Sequence, residues 1–326
     1  MELSSLLDPR VLLVSGKGGV GKSAMAAAVA LAGARTGRKT CLVEVEGRQT
    51  MARLFGTPPW TFEEREFRPG LWGMSIDPEA SLAEYLDMFY GAKRLSKLVV
   101  GNTAVEFATT AAPGLKDVLL IGKVKEMERR RDHDGRFTYD LIVMDAPPTG
   151  RILNFLRAPE ATTELINVGP VRTQAQTLVE LLSDPKRTRM QLVTLLEEMP
   201  VQETIDSAEA LEEQGVTVGP ILVNRVLRNR FPDDAVRKAL TDDLEPEALR
   251  ALLEAAGLEL SVESAATLRA GGLLHLQRLA LQEQMRAELD DRLPQSRLEL
   301  PFLHSAEFAE AEVSELADLL VEAVSP

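Results

Sequence analysis

Cysteine and histidine are scarce in this chain of 326 residues, and their scarcity excludes several kinds of site. The single cysteine, Cys41, cannot form an intrachain disulfide or supply a cysteine-rich metal centre. Because Cys41 begins an apolar run, we expect a small buried side chain there rather than a reactive thiol. The three histidines lie outside the motifs that carry chemistry, so we do not expect a histidine-based mechanism.

An excess of basic residues and a long hydrophobic run are also missing. The chain has 37 lysines and arginines against 50 aspartates and glutamates, a formal net charge of −13. Nucleic-acid-binding surfaces usually need a basic face, so we expect no nucleic-acid partner. Residues 1–10 carry no secretory signal pattern, and the longest apolar stretch, residues 24–34, is too short to span a bilayer. These features predict a cytoplasmic protein.

Short apolar runs alternate with helical patterns along the chain. This alternation predicts an α/β fold with a mostly parallel, doubly wound sheet flanked by helices. The predicted strands cover residues 11–15, 40–45, 141–144, 191–196, 216–223 and 298–300. The predicted helices cover residues 23–35, 115–130, 204–214 and 309–323. We expect a single domain over residues 1–326, with mainly helical insertions at about 50–138 and 157–190.

A glycine-rich loop between the first strand and the first helix is the most informative feature. It reads Gly16-Lys17-Gly18-Gly19-Val20-Gly21-Lys22-Ser23, and Ala24 continues into the helix. This is the pattern of a phosphate-binding loop (P-loop), in which backbone N–H groups and the helix N-terminus surround one anion. Lys22 is expected to reach the β- and γ-phosphates, and the Ser23 hydroxyl to ligate Mg²⁺ directly.

The same loop contains a weaker dinucleotide-binding pattern, Gly16-x-Gly18-x-x-Gly21. Glu44 or Glu46 lies about 20 residues further on, where dinucleotide folds place an acidic residue for the ribose. However, such folds favour small residues after the last glycine, whereas this chain has Lys22-Ser23. A cation followed by a hydroxyl favours a nucleoside triphosphate with magnesium.

A second motif covers residues 141–150, Leu-Ile-Val-Met-Asp-Ala-Pro-Pro-Thr-Gly. An apolar strand that ends in Asp145 suits a carboxylate that holds Mg²⁺ through water beside the phosphates. The prolines and the glycine that follow restrict or release the backbone, as a loop that responds to the γ-phosphate requires. A simple helix cap would explain Asp145 alone, but its combination with the P-loop favours the functional interpretation.

Together these motifs resemble the arsenite-pump ATPase (ArsA) family, which includes the targeting factors for tail-anchored membrane proteins. The family's second switch reads Asp-Thr-Ala-Pro-Thr-Gly-His-Thr, and residues 145–152 match it as Asp-Ala-Pro-Pro-Thr-Gly-Arg-Ile. Residues 193–204 are similar to the family's strand-to-helix connection. Residues 43–48 and 84–90 look most like the paired anion-transporting ATPases of actinobacteria. The resemblance spans residues 11 to about 301 and implies a P-loop NTPase that binds ATP.

The resemblance also implies roles for individual residues. Lys17 matches the extra lysine of the dimeric P-loop ATPases, which crosses the dimer interface to the partner's nucleotide, as an arginine finger does. Asn224 matches the asparagine that binds the adenine edge, and Pro301-Phe302 resembles the loop packed against the base. The implied assembly is a homodimer, or a heterodimer with a paralogous subunit, that acts on a protein client or a membrane partner.

Three departures from the family limit what the resemblance implies. The Asp-Pro pair of the first switch, whose aspartate activates the attacking water, falls on Glu46-Gly47; Glu46 is the candidate water activator, and Glu44 a weaker one. Arg151 replaces the histidine of the second switch, so hydrolysis is expected to be slow or to depend on a partner chain. One cysteine supplies neither the metalloid cluster nor the zinc-binding Cys-x-x-Cys clip of the family's dimers.

The sequence therefore favours an Mg²⁺-dependent ATPase that switches between open and closed dimers and couples its ATP state to a client. Lys17, Lys22, Glu46 and Asp145 are the expected catalytic residues. The alternative is a nucleotide-binding regulatory subunit with little turnover, paired with a more active paralogue. A third hypothesis, a DNA-partitioning ATPase, conflicts with the charge of −13.

Overall fold

The computed structural model describes residues 3–45, 47–90, 114–165, 170–231, 233–241 and 245–325. In this part of the chain eight strands form one sheet, in the order β3-β4-β2-β5-β1-β6-β7-β8. The strands are β1 Val11–Gly16, β2 Thr40–Val45, β3 Arg65–Arg68, β4 Leu71–Ile76, β5 Leu141–Asp145, β6 Thr188–Thr194, β7 Ile221–Val226 and β8 Arg297–Pro301. All neighbouring pairs run parallel except β3 with β4. The predicted mostly parallel, doubly wound α/β sheet is confirmed.

Helices cover both faces of the sheet. They are α1 Lys22–Arg35, α2 Thr50–Leu54, α3 Pro78–Tyr90, α4 Leu115–Arg129, α5 Thr149–Leu165, α6 Pro170–Ser183, α7 Glu198–Glu213, α8 Asp234–Thr241, α9 Pro246–Ala255, α10 Val262–Arg292 and α11 Glu310–Val324. A short 3-10 helix, Leu3–Ser5, precedes β1. Within these elements, each helix is either too short or too polar to cross a membrane.

The central strands are apolar on both faces because the helices bury both. In β1, Val11 and Leu13 belong to the core on one face, whereas Leu12 and Val14 belong to the core on the other. This explains why the parallel strands read as continuous apolar runs rather than as alternating ones. Cys41 is fully buried in β2, as expected, and burial raises the pKa of its thiol.

The alanine-rich α1 packs closely against the sheet and against α11. Its residues 25–33 are buried, and at Gly33 an added Cβ would lie 2.6 Å from Leu141 Cδ2. Small side chains thus let the helix that follows the P-loop lie close against the strands. The helix therefore points its N-terminus at the carboxyl edge of the sheet, where ligands of open α/β folds bind.

Two strands lie within the segment that was predicted to be a mainly helical insertion. β3 and β4 extend the sheet at one edge, where β3 pairs antiparallel with β4. The prediction missed β3 because its sequence, Arg-Glu-Phe-Arg, is charged, as suits an exposed edge strand. The second predicted insertion, 157–190, also overlaps the sheet, because β6 begins at Thr188.

Candidate nucleotide-binding site

The P-loop connects the carboxyl end of β1 to the first turn of α1, at the middle of the sheet. Gly21 is the N-cap of α1 and has a left-handed φ of 92°, a backbone conformation that suits glycine. Gly16 lies so close to β6 that an added Cβ would be 2.2 Å from the Val193 carbonyl oxygen. Close approach therefore favours glycine at position 16 and backbone conformation favours it at position 21, whereas an added Cβ at Gly18 would meet nothing within 4 Å.

Ser23 and Asp145 come together behind this loop. The Ser23 hydroxyl donates a 2.7 Å hydrogen bond to Asp145 Oδ2 at the end of β5. Asp145 is 7% exposed, and its other oxygen, Oδ1, is buried with no hydrogen-bond partner among the described residues. Burial raises the pKa of Asp145 to about 6, against the opposing effects of the Ser23 hydrogen bond and the Lys22 charge. The carboxylate is thus desolvated without full compensation, an arrangement that fits a group which binds a cation.

Glu44 adds a second carboxylate beside Asp145. The two residues pair in register on the neighbouring strands β2 and β5, and the Glu44 charge contributes to the raised pKa of Asp145. Glu44 Oε1 accepts backbone hydrogen bonds from Thr50 (2.6 Å) and Met51 (3.3 Å) at the start of α2. Glu44 therefore anchors α2 through Oε1, whereas its Oε2 is buried with no hydrogen-bond partner among the described residues. Glu46 lies outside the described residues.

The Lys22 ammonium lies over the loop, with Nζ 3.4 Å from the Lys17 carbonyl oxygen. Desolvation lowers the pKa of Lys22, and the charge of Arg48 lowers it further, whereas Asp145 and Glu203 oppose the shift. A desolvated cation of this kind gains more from a phosphate than a fully hydrated one does. This position fits the phosphate-binding role predicted for Lys22.

Lys17 makes a contact that the sequence analysis did not foresee. Its ammonium forms a 2.7 Å ion pair with Glu203 Oε2 on α7, and the Thr149 hydroxyl donates to Glu203 Oε1. The pKa of Glu203 is lowered: desolvation would raise it, but the hydrogen bonds from Lys17 and Thr149 outweigh that effect. Glu203 lies in residues 193–204, a stretch already matched to the family, but it was given no role there because a sequence does not show which side chains meet.

Asn224 braces the P-loop from β7. Its Nδ2 donates a 2.9 Å hydrogen bond to the Val20 carbonyl, and its Oδ1 accepts from the Arg225 backbone N–H at 2.9 Å. The amide packs so closely that a Cβ on Gly21 would lie 2.5 Å from Asn224 Nδ2. This bracing role was not predicted, and the adenine contact stays a prediction.

The base-binding loop predicted at Pro301-Phe302 lies at the same edge of the sheet. Pro301 ends β8 and pairs in register with Val226 of β7. Phe302 is 41% exposed, and its backbone N–H donates to the Val226 carbonyl oxygen at 2.9 Å. Since β7 also carries Asn224, the fold brings these residues to the same sheet edge as the P-loop.

The comparison with protein families identifies the chain. The model for the anion-transporting ATPase family matches residues 9–180 and 164–243, more than half of the sequence. The chain belongs to the anion-transporting ATPase family. The family match includes the P-loop, Asp145, Glu203 and Asn224, whereas Pro301 and Phe302 lie beyond it.

Individual members of the anion-transporting ATPase family support the assignment. The chain is 43% identical over 303 residues to ATPase BagA of Mycobacterium tuberculosis, covering 91% of this chain and 88% of that protein. It is 28% identical to an arsenical pump-driving ATPase of Escherichia coli, covering 90% of this chain but 53% of the relative. It is 25% identical to ATPase GET3 of Candida glabrata, covering 68% of this chain and 74% of the relative. The resemblance to this family and to actinobacterial relatives is confirmed.

Proposed function

We propose that this family member is an Mg²⁺-dependent ATPase that works as a nucleotide-switched dimer in the cytoplasm. The observation that carries the proposal is the Ser23–Asp145 pair directly behind the P-loop, with one buried carboxylate oxygen left without a partner among the described residues. A dinucleotide site has no need of this pair, whereas a triphosphate with a cation does. The net charge of −13 gives no support to a nucleic-acid partner.

The residues present fit magnesium. Among the residues described, no group of three or more histidine, cysteine, aspartate or glutamate side chains is arranged to hold a metal ion. Mg²⁺ needs no such cage, because it keeps several waters and binds through one or two protein oxygens together with phosphates. Ser23 would hold it directly and Asp145 through water. When bound, it would neutralise charge on the β- and γ-phosphates.

Each remaining residue has a proposed role in hydrolysis. The loop N–H groups and Lys22 bind and orient the phosphates, and Lys17 supplies positive charge to the partner's nucleotide. Glu46 orients the attacking water in place of the family's aspartate, with one additional methylene. Asn224, Pro301 and Phe302 contact the adenine. The longer Glu46 side chain shifts the attacking water relative to the family's aspartate, and a misplacement of about 1 Å can reduce a rate about 100-fold. We therefore expect slow turnover.

A low-turnover regulatory subunit is the second candidate. Two observations favour it: glutamate replaces aspartate at position 46, and Lys17 forms an ion pair within its own chain. In that case the partner would be a paralogous subunit rather than a second copy. A protein client or a membrane partner is proposed in either case. We do not propose arsenical pumping, the activity in the names of the arsenical pump-driving relatives, because Cys41 is buried and is the single cysteine of the sequence.

The decisive experiment measures Mg·ATP binding and turnover as a function of protein concentration. Native protein is compared with Lys22→Ala, Lys17→Ala and Glu46→Gln. Turnover per chain that rises with concentration in the native protein, and is lost in all three variants, supports a self-sufficient dimeric ATPase. Tight ATP binding without turnover, at every concentration, rejects that function and favours the regulatory subunit. Adding the paralogue should then restore turnover.

A further inference from the structure

The Glu203 side chain connects three parts of the nucleotide site. It stands on the second turn of α7, accepts the Lys17 ammonium through Oε2 at 2.7 Å, and accepts the Thr149 hydroxyl through Oε1. Lys17 belongs to the P-loop, and Thr149 is the first residue of α5, four positions after Asp145. One carboxylate therefore holds both the P-loop lysine and the segment predicted to respond to the γ-phosphate.

This contact competes with the proposed role of Lys17. The ammonium lies 2.7 Å from Glu203 of its own chain, so it must move, or share its three N–H donors, to reach the phosphates of a partner chain. Both the Lys17 and Glu203 side chains are partly exposed, at 31% and 30%, so the ion pair is not a buried structural bridge. Pairs of this exposure contribute little to stability, which makes the contact easy to break when phosphate competes for the lysine.

We propose that Glu203 is a positioning residue that holds Lys17 and Thr149 within their own chain and releases both when the dimer closes around nucleotide. The proposal rests on the proposed function, in which Lys17 acts on the partner's nucleotide. Release couples the two segments, because one carboxylate accepts both the Lys17 ammonium and the Thr149 hydroxyl. The contact opposes closure of the dimer, since the Lys17–Glu203 ion pair of each chain breaks when Lys17 moves to the partner's nucleotide.

The first test measures the contact in the isolated, ATP-free chain. Lys17 is acetylated with limiting reagent in native protein and in Glu203→Gln, and the rate is followed by peptide mass spectrometry against the exposed Lys186. Release from Glu203 should raise the Lys17 rate about threefold, as expected for an ion pair of this exposure. The control Glu198→Gln removes a charge from an exposed position on the same helix and should change nothing. An unchanged Lys17 rate in Glu203→Gln overturns the proposal.

The second test measures closure by sedimentation with Mg²⁺ and a non-hydrolysable ATP analogue. A two-fold symmetric dimer would break two such contacts, so Glu203→Gln should dimerise at about tenfold lower concentration than native protein. Thr149→Val, which removes the other hydrogen bond, should shift dimerisation in the same direction. A merely structural Glu203 would instead weaken the dimer or leave it unchanged, and either result overturns the proposal.

Failure of the proposed function would give different results from failure of the Glu203 proposal. If Lys17 does not act across the interface, a mixture of Lys17→Ala and Lys22→Ala will stay inactive under conditions in which native protein hydrolyses ATP, although the acetylation result still stands. If the chain pairs only with a paralogue, native protein will not dimerise alone, and the sedimentation test is made on the mixed pair. In the double variant Lys17→Ala/Glu203→Gln, the proposal predicts the same loss of turnover as in Lys17→Ala.

Discussion

Replacing Asp145 with asparagine should stabilise the nucleotide-free protein. In the folded chain burial raises the pKa of Asp145 from 3.8 to about 6, so between those values the folded state binds more protons than the unfolded state. The free energy of unfolding therefore falls as the pH rises through this window. At about pH 8 the ionised carboxylate costs about 3 kcal/mol, since each pKa unit corresponds to about 1.4 kcal/mol.

The asparagine side chain of this variant cannot be ionised, keeps an oxygen for the Ser23 hydroxyl, and avoids this cost. Denaturant unfolding followed by circular dichroism should show Asp145→Asn more stable than native protein by about 3 kcal/mol at about pH 8, and by only about 1 kcal/mol at about pH 4.5. The control Asp206→Asn, at an exposed position on α7, should show no such pH-dependent difference. Equal or lower stability of Asp145→Asn at both pH values would refute the reasoning.

The same variant tests the metal. In native protein, Mg·ADP should raise the melting temperature more than ADP alone, because bound ligand stabilises only the folded state. In Asp145→Asn this additional effect of Mg²⁺ should be largely lost. A full magnesium effect in the variant would show that Asp145 does not help to hold the cation.

Two further predictions concern the scaffold of the loop. Gly16→Ala should lower the free energy of unfolding by about 1–3 kcal/mol and weaken ATP binding, because its Cβ would meet the Val193 carbonyl at 2.2 Å. Gly18→Ala is the matched control for unfolding, since nothing lies within 4 Å of its added Cβ, and an equal loss of unfolding free energy in both variants would contradict the steric argument. Asn224→Ala should cost about 1–3 kcal/mol in urea unfolding, because it leaves the Val20 carbonyl unpaired, and a neutral result would show that the brace is dispensable.

Strong, continuous patterns in the sequence predicted the centre of the fold. The predicted strand 40–45 coincides with β2, and the prediction 11–15 falls one residue short of β1. These strands are buried on both faces, so their composition alone distinguishes them. The charged edge strand β3 was not predictable in this way, because its pairing with β4 depends on tertiary context.

The site residues also divide into those that local sequence patterns predict and those that depend on tertiary contacts. The P-loop, Ser23 and Asp145 were predictable because motif spacing and strand ends place them locally. Glu203 was not, since the sequence separation between it and Lys17 is 186 residues and only the folded sheet brings α7 to the loop. The brace that Asn224 provides was missed for the same reason, with a sequence separation of 204 residues between it and Val20.

A mixing experiment tests the central claim, a dimer in which Lys17 completes the partner's site, most directly. Lys17→Ala keeps Lys22 for its own nucleotide, and Lys22→Ala keeps Lys17 for the partner's nucleotide. Each variant alone should be inactive, whereas an equimolar mixture should recover about a quarter of native turnover, since half the dimers are mixed and each has one complete site. A mixture as inactive as either variant, under conditions in which native protein hydrolyses ATP, would contradict the account.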